Sequence, residues 1–448
     1  MTSNACISDI AEVVMGQSPK GEDVNDTGEG FPLLNGPTEF TSRYPNPVQF
    51  TAQGRKFSNA GDILFCVRGS TTGRMNYADQ KYAIGRGLAA IRGKNGYPTP
   101  YVRAVIERNL DRLLVAATGS TFPNVGRDLL LNFKVETVSP EESLSINKLI
   151  VSLEDKIELK RQTNQTLEHI VQAIFKSWFV SFEPVKAKVE AKQSGQDPEI
   201  AAMCAISGKT EDQLNDLNAT ALRKIKTTAG LFPDAFVESE LSGIPDGWEA
   251  VPLGKYLEIK RGGSPRPIKE YIVEKGLPWT KIADATKEPS PFLFRTKECI
   301  KKEGLKKTVF LKKGALILSN SATPGLPKFL ELDACIHDGW LHFPKKELFS
   351  DLYLYQLFLE IKKELIAQGN GSVFTNLKTD ILRNQVVVAP TKEIIKMFDE
   401  VSFSIFESIK ENCKEINTLS NLKDTLLSKL LSGELVSDSK KQATESAA

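Results

Sequence analysis

The sequence is poor in the side chains on which most enzyme and metal sites depend. Among 448 residues there are three histidines and six cysteines, and no Cys-x-x-Cys pair occurs. Cys335, His337 and His342 lie close together in the chain, but their spacing fits no standard zinc pattern. Scattered thiols without a disulfide framework are typical of the reducing cytoplasm. We therefore predict no metal site and expect a cytoplasmic protein.

Long apolar runs and signal sequences are also missing. No stretch of 18 apolar residues occurs, so the chain is not expected to cross a membrane. The first residues, MTSNACISDIAEVV, lack the basic segment followed by an apolar one that a secretory signal contains. These absences favour a protein with no membrane partner.

Motifs of group-transfer chemistry are absent as well. The sequence contains no Walker A motif and no tetrapeptide resembling the Asn-Pro-Pro-Tyr of amino-methyl transfer. Asp246 with Glu258 and Lys260 resembles the carboxylate pair and lysine with which metal-dependent nucleases hold a divalent ion and a water. A turn followed by an amphipathic strand or helix accounts for the same residues. The sequence therefore indicates a binding protein, with a single-chain nuclease as the alternative.

Two long stretches carry a heptad pattern of apolar residues. In residues 146–179 the core-type positions recur at steps of four and three, and residues 398–431 repeat the same phase. Lys160 and Asn164 are polar exceptions in the first stretch. Each stretch predicts a helix of about 34 residues, roughly 50 Å long, and the two would pack antiparallel because a whole domain intervenes. The seam residues are Leu153, Ile157, Leu167, Ile174, Ile405, Ile409, Leu419 and Leu426.

The chain also repeats itself outside these helices. Segment 61–65 (GDILF) is echoed by 314–318 (GALIL), 68–73 (RGSTTG) by 320–325 (NSATPG), and 119–124 (GSTFPN) by 371–376 (GSVFTN). The separations are 253, 252 and 252 residues, against 252 for the helices, while 17–19 and 263–265 correspond more loosely at 246. One unit of about 180 residues, a domain followed by a helix, has been used twice. Such a duplication predicts a pseudo-two-fold protein, which suits duplex DNA because the duplex has its own two-fold.

These patterns predict an α+β fold with two β-rich α+β domains and two long helices that form an antiparallel coiled coil. The predicted parts are a first domain at 1–140, a long helix at 141–184, a linker with short helices at 185–244, a second domain at 245–390, a second long helix at 391–432 and a disordered tail at 433–448. Within the first domain, strands are predicted at 62–67, 88–91 and 129–138, and a helix at 100–114.

Charge and turn chemistry together indicate a polyanionic ligand. Residues 1–140 carry a net charge of +2 and residues 245–390 one of +6, whereas the remainder carries −6. Arg, Lys, Asn, Ser and Thr in the recurring turns can contact base edges and phosphates. Each by itself is better explained as an ordinary turn residue, but recurrence in both halves favours binding. The candidate DNA-binding residues are Arg68, Ser70, Thr71, Arg74, Asn76, Ser120, Thr121, Asn124, Arg127, Arg261, Ser264, Arg266, Ser319, Asn320, Ser321, Thr323, Lys328, Thr375, Asn376 and Lys378.

Several segments resemble one family. Residues 231–241 (LFPDAFVESEL), 243–249 (GIPDGWE), 252–254 (PLG), 261–266 (RGGSPR) and 426–434 (LLSKLLSGE) are similar to the specificity subunits of type I restriction–modification systems, and the resemblance covers nearly the whole chain. In that family each globular domain is a target recognition domain that reads one half of a split DNA target. The two helices are spacer helices, and they dock two modification subunits. One departure is the ending 175–180 (FKSWFV) of the first helix, which faces either the modification subunit or the linker.

The resemblance implies a protein without catalytic activity or cofactor of its own. S-adenosylmethionine, ATP and Mg²⁺ would bind to partner subunits, namely two modification subunits and, through the assembled complex, restriction subunits. The remaining partner would be double-stranded DNA. The family has no fixed base-contacting residues, so the candidate residues come from the internal repeat. A coiled-coil adaptor that binds only protein is a further alternative.

Overall fold

The computed structural model of the chain describes residues 3–118, 123–238, 243–368 and 377–431. The chain divides into two units, one of Met1–Arg161 with Glu415–Ala448 and one of Gln162–Lys414. Both unit boundaries fall inside the long helices, so each unit contains a globular domain and a part of both helices. The tail predicted to be disordered, 433–448, lies outside the described residues.

The first unit begins with a domain of short strands. Its elements are β1 (Ser3–Cys6), α1 (Ile7–Ile10), β2 (Ala11–Met15), β3 (Val24–Asn25), β4 (Phe31–Leu34), β5 (Gln49–Thr51), β6 (Phe57–Ser58), β7 (Ile63–Cys66), β8 (Met75–Tyr77), β9 (Tyr82–Ile84), β10 (Leu88–Gly93), α2 (Thr99–Arg108), α3 (Leu110–Val115), α4 (Arg127–Asn132) and β11 (Lys134–Thr137). One sheet has the order β2-β10-β7-β8, and a second has the order β3-β5-β4-β9-β6. β1 and β11 pair separately.

Alternate residues of β7 enter two different cores. Ile63 and Phe65 pack in the core that contains Tyr101 of α2, whereas Leu64 and Cys66 join the core of Leu34. Successive side chains of a strand point to opposite faces of its sheet. A strand that is covered on both faces therefore needs apolar residues at consecutive positions.

Two of the predicted elements in this domain differ from the structure. Residues 129–138 were predicted as one strand, but α4 ends at Asn132 and only Lys134–Thr137 form a strand. A short apolar run does not distinguish strand from helix. The predicted helix at 100–114 is divided at Asn109, whose side-chain amide donates to the Val105 carbonyl at 2.9 Å. Such a bond competes with the helix backbone and favours a break.

The long helices and the second domain follow β11. Their elements are α5 (Pro140–Phe179), α6 (Glu183–Ser194), α7 (Pro198–Ser207), α8 (Glu211–Asn215), α9 (Ala219–Gly230), β12 (Phe236–Val237), β13 (Ile244–Pro245), β14 (Glu249–Pro252), β15 (Leu257–Arg261), β16 (Ile272–Val273), β17 (Leu277–Thr280), α10 (Ile282–Lys287), β18 (Phe292–Leu293), β19 (Glu298–Ile300), β20 (Val309–Leu311), β21 (Leu316–Ser319), β22 (Pro327–Leu330), β23 (Ala334–Ile336), β24 (Trp340–Lys346), α11 (Asp351–Glu360), α12 (Lys362–Gln368), α13 (Thr379–Asn384), β25 (Val386–Ala389) and α14 (Lys392–Leu431). One sheet has the order β15-β24-β21-β22-β18, and its first four strands repeat the order β2-β10-β7-β8. A second five-stranded sheet has the order β16-β19-β17-β23-β20, and β12 with β13 and β14 with β25 form separate pairs. The predicted duplication is therefore visible in the strand order of the two domains.

The start of α5 follows from a capping box. The Ser139 hydroxyl accepts from the Glu142 amide at 3.2 Å, and the Glu142 carboxylate accepts from the Ser139 amide at 3.3 Å. Pro140 occupies the first helical position, where its missing N–H costs nothing. α5 and α14 each contain 40 residues, so each is about 60 Å long and extends beyond its heptad stretch of about 34 residues.

In the first unit the two helices pack antiparallel. Lys160 pairs with Glu415 at 2.8 Å, and Glu154 pairs with Lys423 at 3.5 Å. The residue number falls along α5 as it rises along α14. The polar seam position Lys160 is therefore satisfied by an acidic residue of the other helix.

In the second unit the same antiparallel order continues. The Asn412 side-chain amide donates to the Asn164 oxygen at 2.8 Å, and the rings of Phe175 and Phe398 lie 5.7 Å apart. Across both units the predicted seam residues Ile157, Ile409 and Leu419 are buried, whereas Leu153, Leu167, Ile174, Ile405 and Leu426 are half-buried. The antiparallel packing of the two helices is confirmed.

The aromatic end of α5 is buried in the second unit. Trp178 packs edge-on against Phe232, which follows α9, and Phe179 packs near Trp248. The linker, one of the two partners left open by the sequence, therefore contacts this end of α5 through Phe232, and the second domain contacts it through Trp248. The linker itself is helical, and α7, α8 and α9 enclose a small apolar core of their own. None of the helices in the described part of the chain is long and apolar enough to span a membrane.

Candidate nucleic-acid interface

Four loops meet at one edge of the first domain, which we call the first loop edge. They are residues 16–19 after β2, 67–74 between β7 and β8, 85–87 between β9 and β10, and 123–126 before α4. The Val67 amide donates to the Gly87 carbonyl at 2.9 Å, and the Val125 amide to the Val67 carbonyl at 2.8 Å. The Arg86 amide donates to the Ser18 hydroxyl at 3.1 Å. Hydrogen bonds donated by the main chain therefore connect the loops.

The second domain builds the same arrangement, the second loop edge, from residues 262–266, 319–326, 337–339 and 377–378. The Asn320 amide donates to the Gly339 carbonyl at 2.8 Å, and the Leu377 amide to the Asn320 carbonyl at 2.7 Å. The Asp338 amide donates to the Ser264 hydroxyl at 3.3 Å. These bonds correspond one to one with those of the first loop edge. The turns at 68–73 and 320–325, which echo each other in sequence, are thus held in the same way in both domains.

Glycine permits the close approach of loops at each edge. A Cβ atom at Gly87 would lie 2.2 Å from the carbonyl oxygen of Asn35, and one at Gly262 would lie 2.3 Å from that of His337. A backbone oxygen cannot move aside without displacing its loop, so neither position accepts a side chain. The glycines of the recurring turns therefore shape the edges.

The first loop edge exposes most of the residues predicted for it. Arg68, Ser70, Arg74, Asn124 and Arg127 are exposed, and Thr71 is half-buried. The Arg74 guanidinium donates to the Pro37 and Phe40 carbonyls at 3.3 Å, so its position is partly fixed. Among the described residues, Arg68, Arg74 and Arg127 form no ion pair. Their charges are therefore available to an anion.

Asn76 has a structural role instead of the predicted DNA contact. It is 1% exposed, its amide donates to the Thr41 carbonyl at 3.1 Å, and its oxygen accepts from the Thr41 amide at 3.1 Å. These bonds use its polar atoms within the domain, so we leave it out of the interface. The predicted Ser120 and Thr121 lie outside the described residues.

The second loop edge also presents basic residues. Arg261, Arg266 and Lys378 are exposed, whereas Ser264, Ser321 and Thr323 are half-buried. Lys378 stands immediately before α13, as Gly126 and Arg127 stand at the start of α4. The predicted Thr375 and Asn376 lie outside the described residues.

Ser319, Asn320 and Lys328 were predicted to bind DNA, but their side chains are buried at 0%, 4% and 2% exposure. The Ser319 hydroxyl accepts from the Leu326 amide at 2.9 Å. The Lys328 ammonium donates to the Glu288 carbonyl at 2.6 Å, and burial lowers the pKa of Lys328 to about 8. We therefore correct the prediction for these three residues, since their side chains are buried within the domain.

Asp338 is an acidic residue on the second loop edge that the sequence analysis missed. Its carboxylate accepts from the Ser264 hydroxyl at 2.7 Å and lies 3.6 Å from the Arg266 guanidinium, and its carbonyl accepts from Arg261. Partial burial alone would raise the pKa of this carboxyl, but the Ser264 bond and the neighbouring cations lower it. Asp338 is therefore ionised at neutral pH.

Arg86 is the counterpart of Asp338 on the first loop edge and was also missed. It is exposed and lines a groove of about 560 Å³ with Ser18, Asn35, Pro37 and Arg68. The segments IGRGL at 84–88 and IHDGW at 336–340 have the same separation of 252 residues as the other echoes. The separation of 252 residues was the signal in the sequence that could have identified this pair, although the two segments share only an Ile and a Gly.

The residues of the nuclease alternative lie in different parts of the second unit. Glu258 pairs with Lys260 at 2.8 Å, and this hydrogen bond lowers the pKa of Glu258. Asp246 lies in the turn between β13 and β14. Within the described ranges, no group of three or more His, Cys, Asp or Glu side chains is arranged to hold a metal ion. No observation at these residues favours cleavage of DNA.

Comparisons with known proteins identify relatives of the chain. A family model described as the type I restriction modification DNA specificity domain matches residues 3–169 and 245–426. The type I restriction enzyme HindI specificity subunit of Haemophilus influenzae is 28% identical over 424 residues, which cover 87% of this chain and 90% of that protein. The MjaIX specificity subunit of Methanocaldococcus jannaschii is 24% identical over 449 residues, 96% of this chain and 92% of that protein. The crystal structure of a type I restriction–modification S subunit from M. genitalium covers 96% of each chain with 14% identity and a TM-score of 0.49.

The two matches of the family model coincide with the duplication. The first covers the first domain and most of α5, and the second covers the second domain and most of α14. Together they account for well over half of the chain. The chain belongs to the family of type I restriction–modification DNA specificity subunits.

Proposed function

We propose that the chain recognises DNA for a type I restriction–modification enzyme and that each loop edge contacts one half of a bipartite duplex site. The observation that carries the proposal is the recurrence of one loop arrangement, with the same hydrogen bonds, in both domains. Exposed cations lie on both edges, among them Arg68, Arg127, Arg261, Arg266 and Lys378. Cations neutralise phosphates, and Arg and Asn side chains also form paired hydrogen bonds to base edges.

The long helices would connect recognition to catalysis by other subunits. In the proposed complex two modification subunits dock on α5 and α14, and restriction subunits join through the assembled enzyme. S-adenosylmethionine, ATP and Mg²⁺ would act on those partners, and this chain would contribute no catalytic group. The helix pair would set the number of unspecified base pairs between the half-sites. Its antiparallel packing and its polar pairs support this role.

The proposal is tested by exchanging one domain. Residues 1–140 are replaced by the equivalent domain of a relative with a different target, and methylated positions are mapped after expression with the modification subunits. One half-site should change and the other should stay, since each edge is built within a single domain. The reciprocal exchange of residues 245–390 is the control. A change of both half-sites, or of neither, would contradict the assignment.

The absence of catalysis is tested on the purified chain. Incubation with plasmid and either S-adenosylmethionine or Mg²⁺ should give neither methylation nor cleavage. Glu258→Ala and Glu347→Ala are compared, because both glutamates line the same groove. Cleavage that is lost only in Glu258→Ala would support the nuclease alternative and overturn the proposal.

A further inference from the structure

Residues 86 and 338 occupy one equivalent position and carry opposite charges. Arg86 lies between β9 and β10, and Asp338 lies between β23 and β24. Both donate their amide to a serine hydroxyl of the neighbouring loop, Ser18 at 3.1 Å and Ser264 at 3.3 Å. The backbone frame is therefore the same in both domains, and the chemical difference lies in the side chain.

The surroundings of the two side chains are matched to their charges. Arg86 faces a groove that it lines together with Arg68, and the residues lining that groove include no carboxylate. The Asp338 carboxylate is 42% exposed and stands beside Arg266, which is 76% exposed. A carboxylate on a surface that meets phosphates is repelled by them. The neighbouring Arg261 and Arg266 reduce this repulsion, and a favourable base contact would offset the rest.

The hydrogen-bonding groups of the two side chains select different bases. Arginine offers donors only, and its fork matches the N7 and O6 acceptors of guanine. An ionised aspartate offers acceptors only, and the exocyclic amine of cytosine is the donor that it pairs with in the major groove. Oδ1 of Asp338 already accepts from Ser264 at 2.7 Å. A carboxylate has about four acceptor sites, so others remain for a base.

We propose that this position determines specificity, with Arg86 selecting guanine in the half-site of the first domain and Asp338 selecting cytosine in the half-site of the second. The inference rests on the proposed function, because it requires each loop edge to face the major groove. It adds a named position at which the two half-sites differ, and it predicts the base preferred at each.

The test uses the complex assembled with modification subunits and a library of DNA duplexes with randomised half-sites. Asparagine and glutamine form paired hydrogen bonds with adenine. Asp338→Asn should therefore change one selected base of the second half-site from cytosine to adenine, by about tenfold or more. Arg86→Gln should change one base of the first half-site from guanine to adenine. Each variant should leave the other half-site unaltered, and Lys94→Ala, beyond the far end of β10, should change neither.

The outcomes separate this inference from the proposed function. If Asp338→Asn weakens binding equally for every base, Asp338 only positions Arg261 and Arg266, and the inference is overturned for that domain. If both variants keep the wild-type base preferences, it is overturned entirely, while selection of a bipartite site by the wild-type complex would still support the proposed function. A wild-type complex that selects no sequence would refute the proposed function itself.

Discussion

The polar pair Asn164 and Asn412 should fix the register of α5 on α14. Asn164 is 6% exposed within an apolar seam. Its oxygen accepts from the Asn412 amide at 2.8 Å, and its own amide reaches the Ile409 carbonyl at 3.4 Å and the Cys413 sulfur at 3.3 Å. A polar residue at one seam position specifies how two helices align, because any shift would bury its amide without these partners.

The loss of stability expected when Asn164 is truncated follows from these contacts. The bond between the two asparagines contributes about 1–1.5 kcal/mol, and the two longer contacts of Asn164 contribute less. Truncation to alanine also leaves a small cavity, at a cost of about 1 kcal/mol. Asn164→Ala should therefore lower the free energy of unfolding by about 2–4 kcal/mol. Gln165→Ala, on the adjacent exposed position, should change it by less than about 0.5 kcal/mol.

The assay is a double-mutant cycle by urea denaturation of the full chain, followed by circular dichroism. Asn164→Leu and Asn412→Leu are measured singly and together. Each single variant should destabilise the chain, whereas the double variant should recover most of the loss, because an apolar pair can replace a hydrogen-bonded one. A coupling energy of zero within error would show that the pair does not stabilise the register.

Three further outcomes are expected. Burial raises the pKa of Glu168 to about 7, although Lys328 opposes this shift. The folded protein therefore holds a proton that the unfolded chain releases near pH 4.5. The free energy of unfolding should fall as the pH rises from about 4.5 through 7, and Glu168→Gln should remove that slope when denaturation is measured at several pH values. Arg68→Ala should reduce the slope of log affinity against log salt by about 0.9 if the guanidinium contacts a phosphate, while the exposed Lys94→Ala leaves it unchanged. Four residues inserted after Arg161 and four after Lys414 lengthen each helix by about 6 Å, so the unspecified spacer in the methylated site should grow by one or two base pairs. Two-residue insertions rotate the apolar seam out of register and should abolish assembly. An unaltered spacer in the four-residue variant would show that the helices do not determine its length.

The architecture was largely predictable because its signals repeat along the chain. A heptad pattern in two stretches of equal phase predicted the helix pair, and the turns at constant separation predicted two equivalent domains. The polar exceptions in the seam were visible too. Their partners were not, because Lys160 meets Glu415 and Asn164 meets Asn412 only after the chain has folded back.

The candidate site was predicted less well, since burial depends on contacts that local sequence does not contain. Asn76 is held by Thr41, 35 residues away, and Lys328 donates to the Glu288 carbonyl, 40 residues away. Both were selected as polar turn residues, and both are internal. Arg86 and Asp338 were missed for the converse reason: their loops share a backbone frame but hardly any side chains.

The hydrogen bonds donated by the main chain at the two loop edges have a consequence for evolution. Val67, Val125, Asn320 and Leu377 hold their loops through peptide groups, which every non-proline residue possesses. Under the proposed function, mutations at neighbouring exposed positions would therefore alter the side chains presented to DNA while the loops keep their course. A lineage would then acquire a new target through a few codon changes or through exchange of one domain, with the two helices inherited unchanged. Related genes should accordingly be most variable at the edges and most alike along α5 and α14.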